Sequence, residues 1–347
     1  MMRLQTSLNL QLAVALFCWN LGCSARSPEN ATNMESHREQ AQLQTNELQD
    51  EPQIELASVS MASIDHAQQV EKAPPANVET VIDERQKQAE RAKMLAFCAQ
   101  VLDELPGHSN QHNTQELCLQ ADIMPQCESV EKRPIFHYDL PSHRPSTAKK
   151  VLVFAVVHGD ELESGGVARR WIERLMNIKS RNSWRIVPVL NPDGMKRYTR
   201  TNANGVDLNR NFPSSDWDEL ALKWWKERRK SNPRQYPGDL AASEPETQCA
   251  MRHIDDFKPD FIVAVHTPYG VLDFDGPSIA NAPRYESLPW VSLGTFPGSL
   301  GRYMWKDHQV PVLTVELKNS EILKKIDDID ALQDIAGTVA IRSADSL

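Results

Sequence analysis

The sequence predicts an α/β domain built on a largely parallel, buried sheet. Two observations predict it. Near-continuous apolar runs recur between residues 147 and 319: VLVFAVV (Val151–Val157), WRIVPVL (Trp184–Leu190), FIVAV (Phe261–Val265) and VPVLTV (Val310–Val315). Runs without polar alternation are strands covered on both faces. Helical stretches separate them, over Glu163–Met176, Leu220–Arg229 and Ser243–Phe257, and again with a break over Glu321–Ser346. That alternation is the mark of a parallel sheet with crossover helices. Ser243 with Glu246 three residues on reads as a capping box opening the third helix.

The chain has 347 residues, room for a sizeable core and a second small unit. Its formal net charge of −9 argues against nucleic acid as a partner, since phosphate binding needs a basic face. Residues 1–23 read as a secretory signal, with Arg3 at the positive start and an apolar run over Leu8–Gly22. Leu21-Gly22-Cys23-Ser24 hints at a lipid anchor on Cys23, although Asn20 departs from that motif. Residues 24–80 are polar and poor in aromatics, the composition of a disordered tether. Over 81–145 we expect a small helical, cysteine-containing region. Its helix carries Met94, Leu95, Phe97, Val101, Leu102 and Leu105 on an apolar side. Cys98, Cys118, Cys127 and Cys249 allow three full pairings, and their clustering suggests a staple within Cys98–Cys127, which we expect on a helical cap over the site. Residues 146–347 form the main domain.

Chemistry concentrates where apolar runs stop. VLVFAVV is followed by His158-Gly159-Asp160-Glu161, FIVAV by His266, VPVLTV by Glu316, and WRIVPVL by the turn signal Asn191-Pro192-Asp193-Gly194. In open α/β sheets, ligands bind outside the carboxyl ends of the strands. Each signal is weak alone: HxxE is common surface polarity, and a single histidine or glutamate at a strand end is ordinary. Their coincidence at three exits is the informative fact. His158, Glu161 and His266 make a two-histidine, one-carboxylate set of the kind that holds catalytic zinc with one position open. Glu316 is the candidate general base. In NPDGMKRYTRTNANGVDLNRNFP, Arg200, Asn209 and Arg210 suit a substrate carboxylate and a developing oxyanion. Lys196 and Arg197 read as solvated loop residues.

HGDE, NPDG, GVDLNRNF, the strand-borne His266 and TVEL together resemble the M14 zinc carboxypeptidase family over about Lys149–Asn319. SEPET, HTPYG and FPGSLG bring the chain near its bacterial murein peptide amidase branch. The resemblance implies an α/β/α sandwich with a mixed sheet of about eight strands, and one zinc ion per chain on His158, Glu161 and His266. It implies Glu316 as general base and acid, Arg200 polarising the scissile carbonyl, and Asn209 with Arg210 gripping the substrate's terminal carboxylate. The expected partner is a peptide, including murein peptides cut between γ-D-glutamate and diaminopimelate. A secreted or periplasmic site departs from the cytosolic setting of that branch. Leu293–Ser299 lacks the tyrosine that digestive-type members carry there, which leaves Tyr303 or Tyr269 as substitutes or the role unfilled. Leu300 falls near the pocket-floor position. Two other readings stay open: an N-acyl amino acid deacylase of the succinylglutamate desuccinylase and aspartoacylase type, and a non-catalytic wall-peptide binder.

Overall fold

The computed structural model describes residues 78–107, 111–279 and 282–344. The signal segment, Cys23 and nearly all of the expected tether lie outside these residues. Among the described residues, no helix is long and apolar enough to cross a membrane.

The elements run α1 (Val78–Glu104), α2 (Gln111–Gln120), β1 (Asp122–Glu128), β2 (Pro134–Leu140), β3 (Lys150–Phe154), α3 (Leu162–Asn177), β4 (Ser183–Val187), α4 (Pro192–Arg197), α5 (Trp217–Arg229), α6 (Pro245–Phe257), β5 (Phe261–His266), β6 (Val271–Asp275), β7 (Val312–Glu316) and α7 (Ile326–Ala344), with short 3-10 turns between some of them. The seven strands form one sheet in the order β1-β2-β4-β3-β5-β7-β6. Pairs β4/β3, β3/β5 and β5/β7 are parallel, and the flanking pairs are antiparallel. The sheet is therefore mixed with a parallel centre, as expected; seven of its strands fall among the described residues.

Alternate residues of the central strands feed two cores. Val151, Val153, Val263, Val265, Leu313 and Val315 pack with α1, α3 and α7. Leu152, Phe154, Ile262, Ala264 and Val312 pack with α6 and the loop bearing Leu208 and Phe212. Burial on both faces is why these strands carry no polar alternation. Trp171 of α3 is fully buried and donates its indole N–H to the Ile329 carbonyl (3.0 Å). Burying such a side chain contributes on the order of 2–3 kcal/mol.

Three local expectations are corrected. Helix α6 begins at Pro245 with Glu244 at its cap position and no side-chain cap bond. Ser243 donates to Glu244, and Glu246 turns away to accept from Asn202 and the Val130 N–H, so no capping box forms. NPDG is the start of α4 rather than a free turn: the Asn191 side chain accepts from the Gly194 N–H (2.8 Å) and Pro192 sits in the first turn, where its missing N–H costs nothing. Finally, the region 81–145 is not helical throughout, since β1 and β2 extend the main sheet.

The cysteines pair Cys98–Cys118 and Cys127–Cys249. The first is the staple within Cys98–Cys127, joining α1 to α2. The second ties β1 to α6. Helix α1 is anchored on the α3 side of the sheet, where the buried Arg169 guanidinium donates to the carbonyls of Leu102 (2.6 Å), Leu105 (3.2 Å) and Pro106 (3.2 Å). A cation on the last carbonyls of a helix satisfies groups that have no intrahelical donor. Residues 78–120 contribute nothing to the lining of the cavity at the strand ends, so the stapled helices do not cap the site.

Candidate active site

The chain leaves β3 for β4 on one side of the sheet and later returns to β5 on the other, so β3 and β5 flank a topological switch point. Their carboxyl ends deliver His158 and His266, and β7 delivers Glu316 beside β5, with His266 and Glu316 in register. A ligand crevice is expected at such a point.

The exit of β3 is strained. Val156 has φ 43°, a left-handed conformation that is unfavourable for a β-branched residue. It is held by the Ser164 hydroxyl, which accepts from the Val156 N–H (2.9 Å), and by the Asn191 N–H, which donates to the Val156 carbonyl (3.0 Å). Three residues on, a Cβ at Gly159 would lie 2.0 Å from the Gly194 carbonyl carbon, so only glycine lets this turn pack on α4. The Glu161 N–H then closes the turn on the His158 carbonyl (3.1 Å). Both side chains end on the same side.

His158 Nδ1 lies 2.8 Å from Glu161 Oε1, and His266 Nδ1 lies 2.8 Å from Glu161 Oε2. The three residues are buried, and one ligand atom of each lies within 4.8 Å of the others. Two imidazole nitrogens and a carboxylate converging on one point have the donor chemistry of a zinc site. The far side of His158 supports the fit: its Nε2 lies 3.0 Å from Asp207 Oδ1, the outer carboxylate that fixes ring orientation in such centres. Burial and Arg200 push the His158 imidazolium down in pKa, but Glu161 and Asp207 together raise it above the ordinary value. Glu161 works against its own burial and is held well below the carboxylate range by the two histidines.

Asp207 was not singled out by the sequence reading, although it sits inside GVDLNRNF. It is fully buried, accepts from Arg200 Nε and an Arg200 terminal nitrogen (both 3.0 Å), and caps the following turn through the Asn209 N–H (3.0 Å). One carboxylate thus orients His158, Arg200 and the Asn209–Arg210 segment. Its acidity is strongly enhanced despite burial, first by Arg200 and then by His158. A carboxylate flanked by basic residues in a motif was the available signal.

Arg200 reaches over Glu161 (3.5 Å). Arg210 is buried, and no acid pairs with it among the described residues. One terminal nitrogen donates to the Asn209 carbonyl (2.6 Å), Nε has no partner, and the guanidinium stacks 4.7 Å above Phe296. Burial foremost lowers its pKa to about 10. The Asn209 side-chain oxygen accepts from the Leu300 N–H (2.9 Å), and Asn209 lines the cavity. Glu316 is 7% exposed and accepts only a long bond from the Tyr269 N–H (3.5 Å). Burial raises its pKa, Glu161 adds to the rise, and His266 opposes it.

All seven sequence-predicted residues line one cavity of about 550 Å³. Tyr269 lines it too and is 68% exposed. Tyr303 lies elsewhere, stacked on Phe212 and against His308. Leu300 is buried in the core with Met304; Ser299 and Gly301 form the wall in its place.

A buried sheet delivering a two-histidine, one-glutamate centre at its switch point is the arrangement of a zinc hydrolase. The sequence pattern of the zinc carboxypeptidase family, Peptidase M14, matches residues 121–294. Murein peptide amidase A of Escherichia coli strain K12 is 32% identical over 177 residues, covering 49% of this chain and 71% of the relative. Murein peptide amidase A of Vibrio campbellii is 29% identical over 198 residues, covering 55% and 77%. Bovine thrombin-activatable fibrinolysis inhibitor, solved with tick carboxypeptidase inhibitor, shares the fold at a TM-score of 0.52 and 16% identity, over 69% of this chain and 97% of that one. The chain belongs to the M14 zinc carboxypeptidase family, and is a zinc-dependent hydrolase.

Proposed function

We propose that this enzyme hydrolyses the amide bond before the C-terminal residue of a peptide, and that cell-wall peptides with a γ-D-glutamyl-diaminopimelate bond are its substrates. The observation that carries the reading is Arg210: a buried guanidinium at the cavity wall, with an unpartnered Nε and, among the described residues, no carboxylate in ion-pair contact, Asp207 acting on it only through its charge. Such a group demands an anion, and a substrate's terminal carboxylate answers it bidentately. The Asn209 amide supplies a further donor at the same wall. The names of the murein peptide amidase relatives support the cell-wall substrate.

In this reading His158, Glu161 and His266 hold the metal, with Asp207 fixing His158. Zinc there supplies Lewis acidity and a lowered water pKa. Arg200, clamped by Asp207, donates to the scissile carbonyl oxygen as negative charge builds on it. Glu316 takes a proton from the attacking water and passes it to the departing amine; its partly desolvated carboxylate, with one weak hydrogen bond, is free to do both. The chain acts outside the cytoplasm, in keeping with its two disulfides and the signal-like first residues.

The test is incubation of zinc-loaded protein with L-alanyl-γ-D-glutamyl-diaminopimelate, with ordinary C-terminal peptides and with an N-succinyl amino acid, each with and without chelator. Mass analysis should find free diaminopimelate released only without chelator. A protein with one bound zinc that splits the succinyl compound and no peptide would overturn the assignment.

A further inference from the structure

Behind the turn that carries His158 and Glu161 lies a second layer that takes no part in the proposed chemistry. It is built on Asp193, the acid of NPDG, in the first turn of α4. An acid at that position ordinarily faces water and complements the positive end of the helix. Asp193 is instead fully buried against the loop joining β1 to β2. Its Oδ1 accepts from the Ser129 hydroxyl (2.7 Å) and from the Arg133 guanidinium, and its Oδ2 accepts from the Glu131 N–H (2.9 Å). The Ser129 hydroxyl in turn accepts from the Arg133 N–H (3.0 Å), which closes the loop around the carboxylate. At the other end of α4, Arg197 pairs with the Glu131 carboxylate, which Arg133 also grips. A helix of six residues is too short to hold its own shape, and the loop at 129–133 secures it at both ends.

The opposite side of α4 supports the site. Gly194 meets Gly159 backbone to backbone, and a Cβ on Gly159 would overlap the Gly194 carbonyl carbon. Asn191, which accepts from the Gly194 N–H, donates to the carbonyls of Val157 (3.3 Å) and Arg200 (3.4 Å). The Gly159 N–H reaches the same Arg200 carbonyl (3.4 Å). A second line leaves the loop through Val130. Its N–H donates to Glu246 Oε1 (3.0 Å), and Glu246 Oε2 accepts from Asn202 (3.0 Å), just beyond Arg200 in the chain. The loop thus backs His158, Glu161 and Arg200, although none of residues 129–133 lines the cavity. The Cys127–Cys249 disulfide fixes the base of the loop to α6. Neither line ends at Arg210, which rests on Phe296 and the Asn209 carbonyl.

We propose that Asp193 is a positioning residue for the metal centre, and that the β1–β2 loop acts through it to fix the turn carrying His158 and Glu161. A solvated acid would serve the helix end equally well. Burying the carboxylate costs free energy that only the donors of this one loop offset. What the burial secures is the place of α4, and α4 touches the turn with no side chain between them to absorb a shift. In a close-packed interior a displacement of α4 is therefore passed on to Gly159 and the ligands on either side of it. The inference rests on the zinc-site reading and is independent of which peptide is cut.

The experiment compares Asp193→Asn, Ser129→Ala and Arg133→Gln in the full chain, with Arg133→Lys as the variant that keeps the charge. Asp330→Asn, which weakens the Arg170 pair between α3 and α7, controls for lost stability away from α4. Zinc affinity is measured by chelator competition well below every melting temperature, and the visible spectrum of bound cobalt(II) reads ligand geometry without substrate. Asp193→Asn should weaken zinc binding by about 10-fold and alter the cobalt spectrum. Ser129→Ala and Arg133→Gln should weaken it by about 2–10-fold, the scale of coupling through packed contacts. Arg133→Lys and Asp330→Asn should match the wild type. At saturating zinc, kcat on the diaminopimelate peptide should fall in the first three variants with KM nearly unchanged, because the loop does not hold Arg210. Wild-type affinity and spectrum in Ser129→Ala and Arg133→Gln would overturn the proposal even if Asp193→Asn failed to fold. So would an equal loss in Asp330→Asn, or a change confined to KM. Weakened zinc in the loop variants of a protein that cuts no peptide would keep the positioning role and remove the peptidase reading. A wild type that binds no zinc would end both.

Discussion

Among the described residues stand two buried clusters of histidine beside potential metal ligands, and they behave oppositely. In the first, His158 and His266 share both oxygens of Glu161, Asp207 backs His158, and the group opens into a cavity. In the second, His137 and His253 face each other at 4.8 Å, and His253 Nε2 lies 3.9 Å from Cys127, whose sulfur is bonded to Cys249. There the nearest carboxylate, Asp139, lies 3.9 Å from His137 and is gripped by Arg185 through two 2.7 Å bonds. Both histidines leave Nδ1 without a partner. Carboxylates and access make the first pair the candidate metal centre. Without them, burial keeps the second pair neutral: His253 falls to about 3, through desolvation first and then His137 and Arg185. Proximity of imidazoles is therefore not enough to define a site.

The largest test of that contrast is removal of a donor. Glu161→Ala should lose the zinc and with it essentially all turnover, while His253→Gln should keep one zinc per chain by mass spectrometry. Zinc retained in the first variant, or lost in the second, would reverse the assignment of the two clusters. Glu316→Gln should come next, lowering kcat by about 10³-fold with metal content unchanged, the scale of a lost general base. Near-normal turnover by that variant would remove Glu316 from the mechanism. A smaller effect is expected at Asp207, which touches His158 without reaching the metal position. Asp207→Asn should weaken zinc affinity by about 10–100-fold, measured by competition with a chromogenic chelator. Unchanged affinity would mean that the buried carboxylate serves Arg200 and the loop alone.

The same contrast explains what could be read from the sequence. His158, Glu161, His266 and Glu316 were legible because each follows an unbroken apolar run, and a run buried on both faces has its next polar residue at the strand end. Arg200, Asn209 and Arg210 were legible as a basic loop. Asp207 was not, because its role depends on His158, forty-nine positions earlier, meeting it in space. Strand β1 carries Pro125 and buries few of its residues, the habit of an edge strand, and so shows no clean period. Strand β6 hides for another reason: Asp273 and Asp275 are residues that strands avoid. The disulfide partners of Cys98 and Cys127 depended on which elements the sheet brings together.

The smallest expected effect concerns the second cluster alone, and its sign follows from proton binding. An unfolded histidine titrates near 6.5, whereas folded His253 resists protonation down to about 3. Between those values the unfolded chain binds the extra proton, so acid favours unfolding. The penalty is absent above pH 6.5 and grows as pH falls through that value, reaching about 3 kcal/mol at pH 4 from this residue. His137, also lowered, chiefly by burial and then by Arg185, adds in the same direction. His253→Gln removes the titrating group and keeps a polar side chain of similar size. Its melting temperature should trail the wild type slightly at pH 8, for lost packing against Phe154 and His137, and match or exceed it at pH 4. Thermal unfolding of both proteins across that range, without added zinc, isolates the term. An equal gap between the two proteins at both pH values would show that His253 is charged in the fold, and the distinction between the two clusters would lose its electrostatic basis.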